Sequence, residues 1–361
     1  MEEKTLKTNK LTEFLQIMEE WRNDWGIGEH AIYRGQTDFN WILIAKLFRD
    51  PNAKPKNESD DPQQIQEQLI REHLKMKDAH NLERRLFQGF SRYLYAYRPD
   101  IVSTVPEEEK SNNAQAMQEW RQLALAQHYG LPTRLIDFTT NMLVALFFAV
   151  EEPVAHRETT TGEEQEQDSA VWCVDAPNRR PVWQVCKRKE DGVWMRPLEF
   201  ANEGSDPPIV DFVDTAFVPE HIDGRIQAQG SVFMCEPRGK KKVLHEWLRD
   251  KGNTISNSEI GEKKDTPILK VRIPKDARKP LQEQLDLVGI NRATLFPDLE
   301  SAAKYLAWAV HQRKRPNLKK SDFLLNRQSE TVNQQLLLDL KGLREFFVVI
   351  AIDFLRAYNA V

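Results

Sequence analysis

Apolar residues recur every three to four positions at Leu11, Phe14, Leu15, Met18 and Trp21, a spacing that predicts an amphipathic helix closed by Gly26 and Gly28. The period then changes. Ala31-Ile32-Tyr33-Arg34-Gly35-Gln36 reads as a short strand running into a glycine turn, with Arg34 at its end. Between Arg49 and Gln64 apolar residues almost vanish among Pro, Asn, Asp and Lys, so a loop is expected before helical spacing resumes over Ile65 to Tyr97. A further helix is expected from Ala114 to His128, stopped by Gly130-Leu131-Pro132 and followed by a strand from Thr133 to Phe138. Asn141 then stands as the N-cap of NMLVALFFAV, a helix apolar on nearly every side and therefore expected to be buried.

Downstream, polar stretches at His156–Asp168 and Gly252–Asp265 separate strand-like runs at Ala170–Val174, Val210–Phe217, Ser231–Glu236 and Ile268–Ile273. Lys275–Leu287 and Asp298–Gln312 read as helices, as does Thr331–Tyr358, within which Phe346–Ile352 fits a buried helix or a strand. Strands separated by Pro, Gly and charged segments, without regular βαβ alternation, predict an α+β fold: a mixed or antiparallel sheet with surrounding helices. Three parts are expected: an N-terminal helical segment at 1–30, a main domain at 31–312, and a C-terminal helical extension at 313–361.

Composition narrows the setting. At 361 residues the chain can build a substantial core without staples. Cys173, Cys186 and Cys235 form no C-x-x-C pair and no even framework, which suits a reducing compartment and gives no metal site. No apolar run approaches the roughly 20 residues a spanning helix needs, so a cytoplasmic protein without membrane contact is expected. A net charge of -4 does not announce a nucleic-acid partner. Two basic runs, Arg238–Lys242 and Arg313–Lys320, are either solvated loops or phosphate contacts.

Three stretches together resemble the FRG-domain family: Tyr33-Arg34-Gly35-Gln36; LALAQHYGLPTRLIDFTTNMLVALFFAV from Leu123 to Val150; and GINRATLFPDLESAAKYL from Gly289 to Leu306. The resemblance spans about Tyr33 to Leu306, with Tyr33 where the family usually has Phe. A more distant similarity is to ADP-ribosyltransferases. There an Arg ends an early strand, a Ser/Thr-bearing strand feeds a helix with an Ala-x-x-Phe-Ala motif, and a later strand carries Gln or Glu. The matching parts are Arg34, then Thr139-Thr140 leading to Ala145–Ala149, then Arg225–Phe233 with Gln227 and Gln229.

This similarity implies an ADP-ribosyltransferase-like core that takes NAD as substrate and modifies a macromolecule, either nucleic acid (RNA above all) or protein. A toxin or phage-defence role with a neutralising antitoxin-like partner would follow. Arg34 would grip phosphate or ribose oxygens through its planar fork. Gly35 would admit the ligand to the backbone, and Tyr33 or Tyr129 would stack on the nicotinamide. Gln36, His128, Arg134, Thr139 and Thr140 complete the expected binding set. Gln227 and Gln229 stand where the family pattern has a glutamate, so the acid to oppose an oxocarbenium charge would be Asp137, the nearest in the motif, or Glu236, a few residues beyond the glutamines. A catalytically weak nucleotide- or nucleic-acid-binding module is therefore the alternative. Other readings stay open: Arg34 in a structural ion pair, His128 capping helix carbonyls, and Arg134 pairing with Asp137, three residues on.

Overall fold

The computed structural model describes residues 2–28, 30–48, 78–99, 112–151, 167–176, 180–181, 217–219, 223–235, 244 and 268–313. The expected loops at 49–64 and 252–265, the C-terminal helix at 331–358 and the two basic runs, Arg313 excepted, lie outside them. The chain divides into two compact units at Ala302, and the sheet belongs wholly to the first.

That sheet runs β1 (Glu2–Thr5), β8 (Ile268–Ile273), β4 (Ser169–Asp175), β2 (Ala31–Gln36), β3 (Leu135–Thr139), β7 (Ser231–Cys235), β6 (Phe217–Val218) and β5 (Arg180–Pro181) in spatial order. The two outermost neighbours pair parallel and the rest antiparallel, so the sheet is mixed, as the sequence predicts. The N-terminal segment does not stand apart. Residues 2–5 form an edge strand against β8, and α1 (Leu11–Trp25) buries Leu11, Phe14, Ile17, Met18 and Trp21 in the main core.

Side chains alternate between the two faces of a strand, and both faces here are covered. Tyr33, Cys173, Leu269 and Val271 pack with α1, with α4 (Met142–Val150) and with α6 (Lys275–Leu287). On the other face Ile32, Phe138, Trp172 and Val232 pack with residues 42–48. Strand β4 is accordingly apolar almost throughout. On this second face β8 carries the buried Lys270, with its ammonium 4.0 Å from the Phe39 ring centre and 4.5 Å from that of Trp172. Burial pulls its pKa down to about 8, and the aromatic faces partly replace the lost water.

Helix α4 forms as its sequence predicts: the Asn141 side chain accepts from the Leu143 amide at 2.9 Å, and nearly every residue is buried. It lies directly on β2. Helices α2 (Asp78–Tyr97) and α3 (Asn112–His128) pack on each other, and Glu83 ties α2 to the start of β3: its carboxylate accepts from the Arg134 amide at 3.1 Å and lies 3.4 Å from the Arg134 guanidinium. The Arg134–Asp137 pair allowed by the sequence does not form, because residues three apart on a strand point to opposite faces.

Candidate functional site

Strands β2 and β3 meet at a single register position, Tyr33 opposite Thr139, whereas β2 pairs with β4 along its whole length. The sheet therefore opens between them into a cleft of about 320 Å³, lined from both strands and by Phe148 and Phe296. Where the ladder lapses, Arg34 supplies a bond. Its Nη1 donates to the Asp137 carbonyl at 2.6 Å and lies 3.7 Å from the Asp137 carboxylate. Burial pulls this guanidinium below the ordinary arginine range, while the Asp137 charge opposes the shift. Arg34 sits inside β2, fourth of six residues, and not at its end.

Asp137 is held from the other side by Gln127, whose side-chain amide donates to its Oδ2 at 2.7 Å. Gln127 is fixed in turn by the Thr133 hydroxyl at 2.6 Å, so the last turn of α3 and the start of β3 lock each other. His128 follows on the cleft wall. Burial lowers its pKa against the pull of Asp223 and Asp137, leaving a neutral imidazole at neutral pH. Among the described residues Arg34 Nε and His128 Nε2 are buried without a hydrogen-bond partner, the latter 3.9 Å from the Asp223 carboxylate.

The region expected as one Gln-bearing strand, Arg225–Phe233, is a short helix followed by a strand. Asp223 caps α5 (Gly224–Ala228) by accepting from the Arg225 amide at 2.8 Å, and the chain turns at Gln229-Gly230 into β7. An Asp ahead of the helix was the available signal, overridden by the strand pattern after it. Gln229 reaches the cleft, its amide NH2 held by the Leu295 carbonyl at 3.1 Å. Among the described residues its side-chain oxygen has no partner. Gln227 and Thr140 do not line the cleft; Thr139 does, donating to the Gln229 carbonyl at 2.6 Å. Gly230, at φ 54°, keeps this crossing tight, because a Cβ there would stand 2.9 Å from Thr140 Oγ1.

The remaining expected residues are placed differently. Tyr33 lines the cleft while most of its side chain is buried in the core on the α4 face, whereas Tyr129 lies outside the lining with its hydroxyl on Asp223 at 2.9 Å. Further aromatic surface in the cleft comes from Trp41, Phe138, Phe148 and Phe296, none of which was expected as a binding residue. Gly35 lines the cleft and also admits helix α4: a Cβ there would collide with the Ala145 carbonyl oxygen. Gln36 lines the cleft but is committed, its Oε1 accepting from the Trp172 indole at 2.7 Å and its amide donating to the Ile42 carbonyl at 3.3 Å. Gln36→Ala is expected to cost about 2 kcal/mol, the penalty of a buried indole left without an acceptor. Chemical denaturation would read that loss, while ligand affinity should change little.

Arg225 closes one rim. It pairs with Asp298 at 2.5 Å and lies 5.5 Å from the Tyr129 ring centre and 5.7 Å from that of Phe296. Asp298 also accepts from the Ser301 amide at 2.7 Å, so the Pro297-Asp298 signature starts α7 (Leu299–Arg313), as the sequence suggests. Among the described residues no group of three His, Cys, Asp or Glu could hold a metal, and no helix is long and apolar enough to cross a membrane.

Residues 29–158 match the family model of the FRG domain, a stretch that holds β2, α2, α3, β3 and α4. The match contains Arg34 and Asp137 but ends before Gln229 and before the Gly289–Leu306 stretch. No curated protein and no solved structure matches the chain.

Proposed function

We propose that this chain binds NAD in the cleft between β2 and β3 and transfers ADP-ribose to a macromolecule. The observation that carries the reading is the fork itself. It places a guanidinium, a carboxylate and aromatic walls around one opening in the sheet. Arg34 would bind phosphate oxygens, and Trp41, Phe148 and Phe296 offer faces for the flat rings at the ends of a dinucleotide. The buried Nε of Arg34, without a hydrogen-bond partner among the described residues, is a donor that a polar ligand could use.

The reaction breaks the bond between C1 of the ribose and the nicotinamide nitrogen, and nicotinamide leaves with the bonding pair as a neutral ring. The ribose carbon gains positive character, an acceptor nucleophile adds to it, and the acceptor's proton passes to a base. Among the described residues that line the cleft Asp137 is the only carboxylate, so the charge-stabilising role falls to it. Gln229 would hydrogen-bond a ribose hydroxyl through its unpartnered oxygen but adds no full charge.

That neutral amide favours a second reading, a binding module that keeps the pocket without the chemistry. Incubation with labelled NAD and separate pools of RNA, DNA and protein separates the two. Label on one pool, with nicotinamide released in equal amount, supports transfer. Calorimetric binding of NAD without nicotinamide release supports the module, and absence of binding overturns both.

A further inference from the structure

The transfer step needs a group to take the acceptor's proton, and among the described residues that line the cleft the ionisable side chains are Tyr33, Arg34, His128 and Asp137. Tyr33 is buried in the core, and Arg34 is a cation. Asp137 must stay ionised to oppose the developing charge, so a proton placed on it would cancel the role it serves. That leaves His128, the one side chain of the four whose ordinary pKa lies near neutrality.

The imidazole is held as a base is held. Only 6% of the His128 side chain is exposed, and its Nε2 lies 3.9 Å from Oδ1 of Asp223. Asp223 is itself fixed twice: Oδ1 accepts from the Arg225 amide at 2.8 Å as the cap of α5, and Oδ2 accepts from the Tyr129 hydroxyl at 2.9 Å. The Tyr129 ring stands edge-on to the imidazole, with centres 6.0 Å apart and 86° between planes. A carboxylate beside Nε2 favours the neutral tautomer with its proton on that nitrogen, which leaves the lone pair on Nδ1.

Charge agrees with this orientation. Burial keeps the imidazole neutral and able to accept, while Asp223 and Asp137 favour the imidazolium once a proton arrives and Arg225 disfavours it. Gln127, the preceding residue, holds Asp137 at 2.7 Å, so neighbouring residues at the end of α3 set both the proton acceptor and the carboxylate that opposes the oxocarbenium.

We infer that His128, positioned by Asp223, is the general base of the transfer, an assignment that rests on the reading of the cleft as a transferase site. The bond between C1 of the ribose and the nicotinamide nitrogen breaks, and its electron pair leaves with the ring. The acceptor atom bonds to C1 and gives its proton to Nδ1 of His128, and the imidazolium then releases that proton to solvent. No oxidant or reductant enters.

Kinetics of label transfer from NAD to whichever pool accepts it, measured on the full chain across pH, test the inference. His128→Gln should still bind NAD by calorimetry but transfer label about 100-fold more slowly or worse, the usual contribution of a general base. The parent's kcat/KM should fall on acidification through an apparent pKa below the ordinary histidine value of about 6.5. Asp223→Asn removes a charge that raises this pKa, so the acid limb should move to lower pH. Asparagine keeps the cap for the Arg225 amide, so this variant should melt like the parent, and a residue that merely supports the fold would not shift the limb. Nitrogen-15 NMR without NAD reads the ring itself, where a proton on Nε2 and a bare Nδ1 are expected at neutral pH. Parental transfer by His128→Gln, an unmoved limb in Asp223→Asn, or a proton on Nδ1 overturns the inference and leaves the cleft reading standing. A parent chain that binds no NAD or transfers no label overturns both.

Discussion

Arg34→Ala is expected to weaken NAD binding on the order of 100-fold and to remove label transfer with it. Two charge-assisted hydrogen bonds to a phosphate contribute about 1.5 kcal/mol each or more, and their joint loss is about two powers of ten. The same side chain bridges the fork through the Asp137 carbonyl at 2.6 Å, so a modest loss of stability accompanies the loss of binding. Arg34→Lys separates the effects. It keeps a positive charge near Asp137 but not the planar pair of donors, so the fold should hold while affinity stays well below the parent. Isothermal calorimetry with NAD, beside a thermal melt, reads both quantities. Parental affinity in Arg34→Ala would remove this residue from the site.

A single methyl group at position 35 is expected to do more to the fold than the loss of the whole Arg34 side chain. The added Cβ would meet the Ala145 carbonyl oxygen at 2.0 Å, the Ala149 amide nitrogen at 2.6 Å and the Phe148 carbonyl carbon at 3.0 Å. These are backbone atoms of α4, which cannot rotate aside, and α4 is buried along nearly its whole length. Overpacking against yielding side chains costs about 1–3 kcal/mol, and against a fixed helix the cost should reach or exceed the top of that range. A melting point lower by roughly 10 °C, or failure to accumulate as folded protein, is the expected result. Phe148 rides on α4, so ligand affinity should fall with it. Gly89→Ala is the control: no atom lies within 4 Å of the added carbon there, and a helical glycine gains about 1 kcal/mol from alanine. A Gly35→Ala protein that melts with the parent would show that α4 can shift away from β2 at little cost.

Gly35 also shows where reading the residues stops. Glycine after Arg34 announces a close approach, and the chain order suggests a ligand as the visitor. The visitor is a helix more than a hundred residues away, because the pleat of β2 turns Gly35 toward the face on which α4 lies and Arg34 toward the other. Arg134 teaches the same lesson. Its spacing from Asp137 fits a pair on a helix but not on a strand, and its partner Glu83 comes from α2, which no local pattern could indicate.

Local chemistry was legible wherever a segment decides its own structure. The helix of Leu11–Trp25, the Asn141 cap, the burial of α4, the strands around Arg34 and Asp137 and the Asp298 helix start all follow from periodicity and capping, which act over a few residues. The family resemblance likewise rests on contiguous residues, and the FRG match over 29–158 contains its strongest stretch. What only the tertiary structure decided is everything that depends on distant strands meeting: that β2 and β3 join at one position and then part, that Asp137 faces Arg34, and that Trp41, Phe148 and Phe296 wall the opening between them. The strand order that makes β2 and β3 neighbours is set by long-range burial of both sheet faces, and that carries no period along the chain.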